Sequence, residues 1–144
     1  MKYFKYILFL IVFFGIALFI GSLNQLNAGE KLDGLINEKC LKECESWPIK
    51  TRKDLISVLY AYDKALNSPK FLFGQKVSEA EEKYELFTIE HKSIIKKNEC
   101  LGKAVCKLVL IHFSFSASGI TNSPVDYDTV DKLGDLITFV GRCH

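Results

Sequence analysis

The spacing of apolar residues divides the chain into two parts. Residues 7–20 (ILFLIVFFGIALFI) contain no charged residue, and the apolar stretch around them runs for 18 residues, from residue 6 to residue 23. A helix of that length measures about 27 Å, close to the ~30 Å hydrocarbon core of a bilayer. Further along the chain, apolar residues recur with helical spacing instead. The pattern predicts a membrane-inserting N-terminal helix followed by a helical domain.

The residues on either side of the apolar run predict its orientation but do not decide whether the run is cleaved or retained. Lys2 and Lys5 precede the run, and no positive excess follows it, so the C-terminal part is expected outside the cytoplasm. Ala28 is a small residue suited to signal-peptidase cleavage, whereas the length of the run suits a retained anchor. We therefore predict that residues 1–28 are a signal peptide or signal anchor, and that residues 29–144 form an extracytoplasmic domain, periplasmic if the source is bacterial.

Five segments of the predicted domain carry apolar residues at three- and four-residue steps, the spacing of one helix face. Capping-type residues stand at the starts of three of them, and proline, glycine or asparagine stands near the ends. Ser123 with Pro124, for example, is a typical helix start, and Gly141 a typical stop. We expect helices over residues 31–45, 51–66, 78–97, 101–115 and 124–140.

One of these segments is ambiguous. Residues 107–115 are rich in β-branched and aromatic residues and also fit a buried strand. We favour a helix, because a single strand would have no partner, and we expect a loop over residues 116–122. The predicted fold is therefore all-α: an N-terminal hydrophobic signal or anchor helix, then a compact, disulfide-bonded bundle of four or five helices.

Charge argues against nucleic acid as a partner. Of the 19 basic residues, Lys2 and Lys5 precede the apolar run, so 17 basic residues remain against 17 acidic residues. A formally neutral domain lacks the basic excess that binding to a phosphate backbone requires.

The five cysteines, all beyond the apolar run, predict disulfides. Cys40 and Cys44 are one turn apart on a predicted helix, where bridging them to each other would strain the helix. Cys100 and Cys106 would be about 9 Å apart along a helix, beyond the ~7 Å Cα limit. We expect Cys40 and Cys44 to pair with Cys100, Cys106 or both, with Cys143 as the third candidate or the free thiol.

No spacing in the chain is typical of a metal, cofactor or catalytic site. C-x3-C and C-x5-C do not match zinc motifs, and a C-x-x-C redox pair is absent from the sequence. His91 and His112 fall within apolar patterns and predict buried, hydrogen-bonded side chains. Glu79, Glu81, Glu82 and Glu85 have lysines interleaved and read as a solvated helix face. We therefore expect no enzyme activity and no bound cofactor or metal.

The best candidate for a partner-binding segment is the connection over residues 69–76. It places Phe71, Leu72 and Phe73 between a proline and a glycine, and exposed aromatic residues in loops mark binding surfaces. The alternative is that Phe71 and Phe73 fold back to cover the helical bundle.

An exported, disulfide-bonded domain without chemistry of its own is expected to act by binding another protein. In architecture it is similar to periplasmic immunity proteins, which join a leader to a compact domain that blocks a toxin; the likeness covers no diagnostic stretch of sequence. The resemblance implies an inhibitor of an envelope-acting toxin or effector. The alternative is a membrane-tethered envelope accessory or exclusion protein, which would contact the membrane through residues 6–23 if the leader is uncleaved.

Overall fold

The computed structural model describes residues 37–143, and these form helices joined by short turns without any strand. The all-α prediction is confirmed for this region, and residues 107–115 are helical rather than extended. The predicted signal or anchor segment lies outside the described residues. The six α-helices are α1 (Glu38–Ser46), α2 (Ile49–Leu66), α3 (Phe73–Glu90), α4 (Lys92–Lys97), α5 (Glu99–Thr121) and α6 (Tyr127–Arg142), with a 3-10 turn at Lys70–Leu72 before α3.

The first three helices begin at other residues than predicted. Helix α1 begins at Glu38, because Asn37 caps it by accepting a hydrogen bond from the backbone N–H of Cys40, and it ends at Ser46 rather than at residue 45. Helix α2 begins directly after Pro48, because proline is tolerated at a helix start, so Thr51 lies inside the first turn. Helix α3 begins at Phe73 rather than at Ser78. The single helix predicted over residues 78–97 is wrong, because the chain breaks at His91 into α3 and α4.

The last two helices also extend past their predicted limits. Helix α5 continues through the predicted loop to Thr121, and Asn122 ends it in the left-handed conformation, with φ of 58°. Serine and alanine in that segment therefore do not interrupt the helix. Asp126, rather than Ser123, caps α6 by accepting a hydrogen bond from the backbone N–H of Thr129. Helix α6 passes Gly141 and ends at Arg142.

A single core fills the space between the long helices. Helix α2 packs mainly against α3, and α5 packs against α3, α4 and α6. Aromatic and branched aliphatic side chains supply the core, and its largest fully buried members are Tyr62, Phe87, Phe115, Phe139, Leu55, Leu59, Leu101, Leu108, Ile111, Leu133 and Leu136.

Ring contacts and hydrogen bonds show how the helices are arranged around α5. Phe73 at the start of α3 stacks on Phe115 near the end of α5, with centroids 6.2 Å apart. Thr129 at the start of α6 donates to the Ser114 hydroxyl. Helices α3 and α6 therefore both run antiparallel to α5, and the turn before α3, the end of α5 and the start of α6 share one end of the bundle, which we call the far end.

The opposite end is held by two disulfides, and we call it the disulfide end. Cys40 pairs with Cys100 at the start of α5, and Cys44 pairs with Cys143 after α6. Both bridges start from the buried face of α1, as one turn of helix spacing between the two cysteines requires. The described chain begins at this end of the bundle.

Cys106 is the free thiol, and the alternative in which Cys106 pairs with α1 does not occur. Cys106 does not reach α1 because it lies on a different side of α5 from Cys100. Six residues turn a helix by about 600°, or roughly two-thirds of a turn beyond a full one. Cys100 is buried toward α1, so Cys106 lies on the outer side of the same helix.

Candidate functional site

The side of α5 that faces away from the core is apolar, whereas the corresponding side of a helix in a globular domain usually carries charged residues. Cys106, Ala117 and Ile120 are exposed, and the residues between them on the same face are half-buried. No charged side chain interrupts this face after Lys103. We define the α5 stripe as Cys106, Val109, Leu110, Phe113, Ala117 and Ile120.

The inner face of α5 carries a charge instead. Lys107 is only 1% exposed and lies among core residues. Apart from Lys107, the inner face of α5 is mostly apolar like the outer face, and the polar residues His112, Ser114 and Ser116 lie between the two faces. By length and composition α5 is long and apolar enough to cross a membrane, with 33% of its most apolar stretch buried in this structure; core helices of globular domains pass the same test.

Helix α3 borders one side of the α5 stripe with aromatic and acidic residues. Tyr84 stacks on His112, with ring centroids 4.2 Å apart and planes 15° from parallel. Glu81 accepts a hydrogen bond from Ser116. Glu85, one turn further along α3, is exposed and close enough to His112 to influence its titration.

Helix α6 borders the other side of the stripe. Ser114 accepts a hydrogen bond from Thr129, 2.8 Å between oxygens. The nearby carboxylate of Asp126 is the cap of α6, and hydrogen bonds from Thr129 lower its pKa below the ordinary value. The α5 stripe thus lies between carboxylates on both neighbouring helices.

The three residues singled out from the sequence lie at the far end and have different environments. Phe71 is 85% exposed, Leu72 is half-buried, and Phe73 packs on the core through Phe115. Of the two phenylalanines, only Phe73 folds back on the bundle. Ile120, 72% exposed, and Tyr127, 89% exposed, lie at the same end.

His112 is held in its neutral form by its surroundings. Burial lowers its pKa, although the nearby Glu81 and Glu85 carboxylates oppose that shift. The phenol of Tyr62 lies 2.7 Å from Nδ1 of His112, and burial raises the pKa of this phenol, so it remains protonated. The tyrosine can therefore donate to an unprotonated Nδ1, and the pair forms a neutral hydrogen bond inside the core.

The free thiol of Cys106 is not activated. Burial of its sulfur raises the pKa above the ordinary value for cysteine, so the nucleophilic thiolate is a minor species at neutral pH. Cys106 is therefore not primed to act as a nucleophile.

A second polar cluster joins α2 to the break between α3 and α4. His91 is buried and lies between two side chains of α2: its Nδ1 is 3.0 Å from the Thr51 hydroxyl, and its Nε2 is 2.8 Å from Asp54 Oδ2. Lys50 contacts Asp54 at 2.6 Å and Glu90 at 3.1 Å. The hydrogen bond from Lys50 lowers the pKa of the Asp54 carboxyl below the ordinary range, and the hydrogen bond with His91 lowers it further.

The order of threonine, histidine and aspartate in this cluster is that of a nucleophile, a base and an orienting acid. The threonine hydroxyl is fully buried, however, so no substrate can reach it. The arrangement holds α2 against the α3–α4 junction and offers donor atoms at the surface through Asp54 and Glu90 rather than through Thr51.

The carboxylates in the middle of α3 lie where a solvated helix face would place them, with one exception. Glu79 forms a surface ion pair with Lys76, 3.1 Å apart, and Glu82 and Glu85 are exposed. Glu81 instead turns toward α5 and bonds Ser116.

Comparisons of the chain with protein-family models, with curated proteins and with solved structures find no match. The site must therefore be argued from its own residues. The sequence pattern did not indicate the α5 stripe, because residues 101–115 were predicted as a helix and residues 116–122 as a loop. With α5 continued to residue 121, the apolar residues at steps of three and four indicate two apolar faces. The pattern missed the His91 cluster because its members are about 40 residues apart.

Proposed function

We propose that this protein is an exported protein-binding module that uses the α5 stripe as its contact surface, and that it acts as an inhibitor or immunity-type protein against an envelope-acting toxin or effector. The observation that carries the proposal is the apolar character of the outer face of α5. Solvated helices carry charged residues on that face, and apolar patches rimmed by polar residues mark protein interfaces.

The chemistry around the stripe suggests what the partner presents. Fully burying a large aliphatic side chain contributes roughly 1.5 to 3 kcal/mol, so Ile120, which is 72% exposed, is the expected anchor. Carboxylates of Glu81, Glu85 and Asp126 border the stripe, which favours a partner whose apolar ridge is flanked by lysine or arginine. Phe71 extends the available apolar area at the far end.

The two disulfides support an extracytoplasmic location, because such bonds persist in oxidising compartments and are rare in the cytosol. The lysines before the N-terminal apolar run support the same orientation. We propose the periplasm, or the periplasmic face of the inner membrane, as the site of action if the source is bacterial.

A binding experiment with matched variants tests the contact surface. The purified protein is immobilised and exposed to envelope extract of its own organism, and bound proteins are quantified for the wild type, Ile120→Glu and Ile49→Glu. Both isoleucines are exposed, so neither change disturbs the core, but Ile49 lies at the start of α2, away from the stripe. We expect a stoichiometric partner that Ile120→Glu loses and Ile49→Glu retains. A partner lost equally in both variants, or in neither, contradicts the proposed surface.

A competition experiment tests the immunity role. A strain lacking this protein is grown in contact with its parent, which produces any toxin that the protein neutralises. We expect the deletion strain to lose viability, and to be rescued by the exported wild type but not by the exported Ile120→Glu variant. Equal survival of the deletion strain and its parent would contradict the immunity role while leaving a different binding partner open to the first experiment.

The second candidate is a membrane-tethered envelope accessory or exclusion protein, which the length of the N-terminal apolar run favours. N-terminal sequencing of the protein isolated from cells separates the two. A mature chain that begins at Gly29 would lack the membrane tether and would contradict the second candidate. A chain in the membrane fraction that still begins at Met1 would support it.

A further inference from the structure

Three donor atoms from two helices converge at the α2 surface next to the α3–α4 break. One carboxylate oxygen each of Asp54 and Glu90 and one ring nitrogen of His91 lie within 4.8 Å of one another. Nitrogen and carboxylate ligands of this kind suit Zn²⁺ and related transition metals better than Mg²⁺ or Ca²⁺, which prefer oxygen ligands alone.

The imidazole of His91 is held in the orientation that a metal ligand needs. The ring is buried, with Nδ1 against the Thr51 hydroxyl at 3.0 Å, and this contact leaves Nε2 directed at Asp54, 2.8 Å away. Metal-binding histidines almost always use their other ring nitrogen for such a supporting hydrogen bond, which fixes the tautomer and the ring plane.

A cation already occupies the neighbourhood of the two carboxylates. The ammonium of Lys50 lies 2.6 Å from Asp54 and 3.1 Å from Glu90, yet 69% of its side chain is exposed. The ammonium belongs to a long solvated side chain, and such ion pairs are weak. A divalent ion can displace Lys50 without any change in the core.

We propose that Asp54, Glu90 and His91 form a Zn²⁺-binding site that clamps α2 to the α3–α4 junction, with Lys50 as the cation that the metal displaces. Ligands around a tetrahedral zinc are about 3.3 Å apart when each is ~2.0 to 2.1 Å from the ion. Asp54 Oδ2 and His91 Nε2, which are 2.8 Å apart, must therefore separate slightly to admit the ion. Glu90, whose side chain is 50% exposed, is free to adjust its position to them.

Titration with ZnCl₂ under calorimetric detection tests the site, with CoCl₂ as a spectroscopic probe. The protein is purified as the full chain in detergent and carries Cys106→Ser, which removes a competing thiol. We expect one Zn²⁺ per chain, a visible absorption band with Co²⁺, and a rise in Tm on binding, since a ligand that binds only the folded state stabilises it.

Two surface substitutions with opposite predicted effects make the test specific. Glu90→Gln removes a ligand and is expected to weaken Zn²⁺ binding by at least about tenfold, the scale seen even for supporting residues of metal sites. Lys50→Met removes the competing ammonium and is expected to strengthen binding. Glu79→Gln, which breaks the surface ion pair with Lys76 on the same helix, is the matched control and should leave the affinity unchanged.

The proposal is overturned if no Zn²⁺ binds, or if Glu90→Gln and Lys50→Met leave the affinity unchanged. The latter result would place the bound ion elsewhere on the chain. None of the three variants alters a buried side chain, so a loss of folding cannot imitate either outcome.

Discussion

At the disulfide end of the bundle, Trp47 is 2% exposed and packs edge-on against Phe139, with ring centroids 6.0 Å apart. At the far end, Phe71 and Tyr127 are almost fully exposed. Both ends carry large aromatic residues, but the far end covers Phe73 and leaves Phe71 and Tyr127 exposed. The difference follows from α1, which is bound by two disulfides over the disulfide end and has no counterpart at the far end among residues 37–143.

A carboxylate strengthens the same end. The first turn of α5 has no side-chain cap of its own, but Glu43 of α1 accepts hydrogen bonds from the backbone N–H groups of Cys100 and Leu101, at 2.9 Å and 3.3 Å. A negative charge at a helix N-terminus is also favourable for the helix dipole. The disulfide end is thus held by covalent and hydrogen bonds, whereas the far end leaves Phe71, Ile120 and Tyr127 exposed.

The largest expected effect on stability is the loss of a disulfide. Cys44→Ser combined with Cys143→Ser opens the bridge with a sequence separation of 99 residues and should lower the free energy of unfolding by about 4 kcal/mol. Denaturant unfolding followed by circular dichroism measures the change. Cys106→Ser, which removes the free thiol, is the control and should change stability by less than ~0.5 kcal/mol; similar losses for both would contradict the assigned pairing.

A smaller loss is expected when the cap of α5 is removed. Glu43→Ala leaves two backbone N–H groups and the indole N–H of Trp47 without their carboxylate acceptor and should cost about 1 to 2 kcal/mol. Thermal unfolding measures it, and Glu45→Ala on the exposed side of the same helix is the control. If the two variants unfold at the same temperature, the cross-helix cap contributes nothing.

Acidification should produce a smaller effect that is specific to His112. Its pKa is lowered in the folded protein from the ordinary value of 6.5, so between the two values the unfolded chain binds more protons. The stability from the neutral ring is complete above about pH 6.5 and is lost as the pH falls through the lowered value. Unfolding measured from pH 7.5 to pH 5 should show this loss in the wild type and a smaller one in His112→Gln; identical slopes would exclude His112 as its source.

The smallest effect on stability is expected at the far end. Phe71→Ala removes an exposed ring and should change the free energy of unfolding by less than ~0.5 kcal/mol, whereas Phe73→Ala, which removes the ring stacked on Phe115, should cost clearly more. Denaturant unfolding of the two variants side by side measures the contrast. Equal losses would mean that Phe71 also packs on the bundle and is not available for a partner.

Much of the fold followed from local patterns. The stripe of Leu55, Val58, Leu59 and Tyr62 predicted the buried face of α2, because residues three and four apart share one side of a helix. The helix boundaries were harder. Ser78 and Ser123 have the sequence context of N-caps, but α3 begins at Phe73 and the α6 cap is Asp126. Several residues near a helix start can act as the cap, and helix packing determines which of them does.

The polar sites could not be predicted in the same way. His91 was recognised as a residue of an apolar face, yet its partners Thr51 and Asp54 lie about 40 residues away, and no local spacing links them. The helix break at His91, which brings Glu90 close to Asp54, could not be predicted either. The apolar spacing along the chain continues through the break without interruption.

The sequence by itself determined that residues 37–143 form helices, that cysteines join them, and that the chain beyond the N-terminal apolar run has no formal net charge. These properties depend on the periodicity of short segments and on the summed composition of the chain, and neither requires knowledge of how the helices pack. Only the tertiary structure decided that Cys44 pairs with Cys143, that Cys106 stays free, and that apolar side chains line the side of α5 that faces away from the core. Those outcomes depend on how each helix is rotated against its neighbours, and the rotation is set by packing across the whole core.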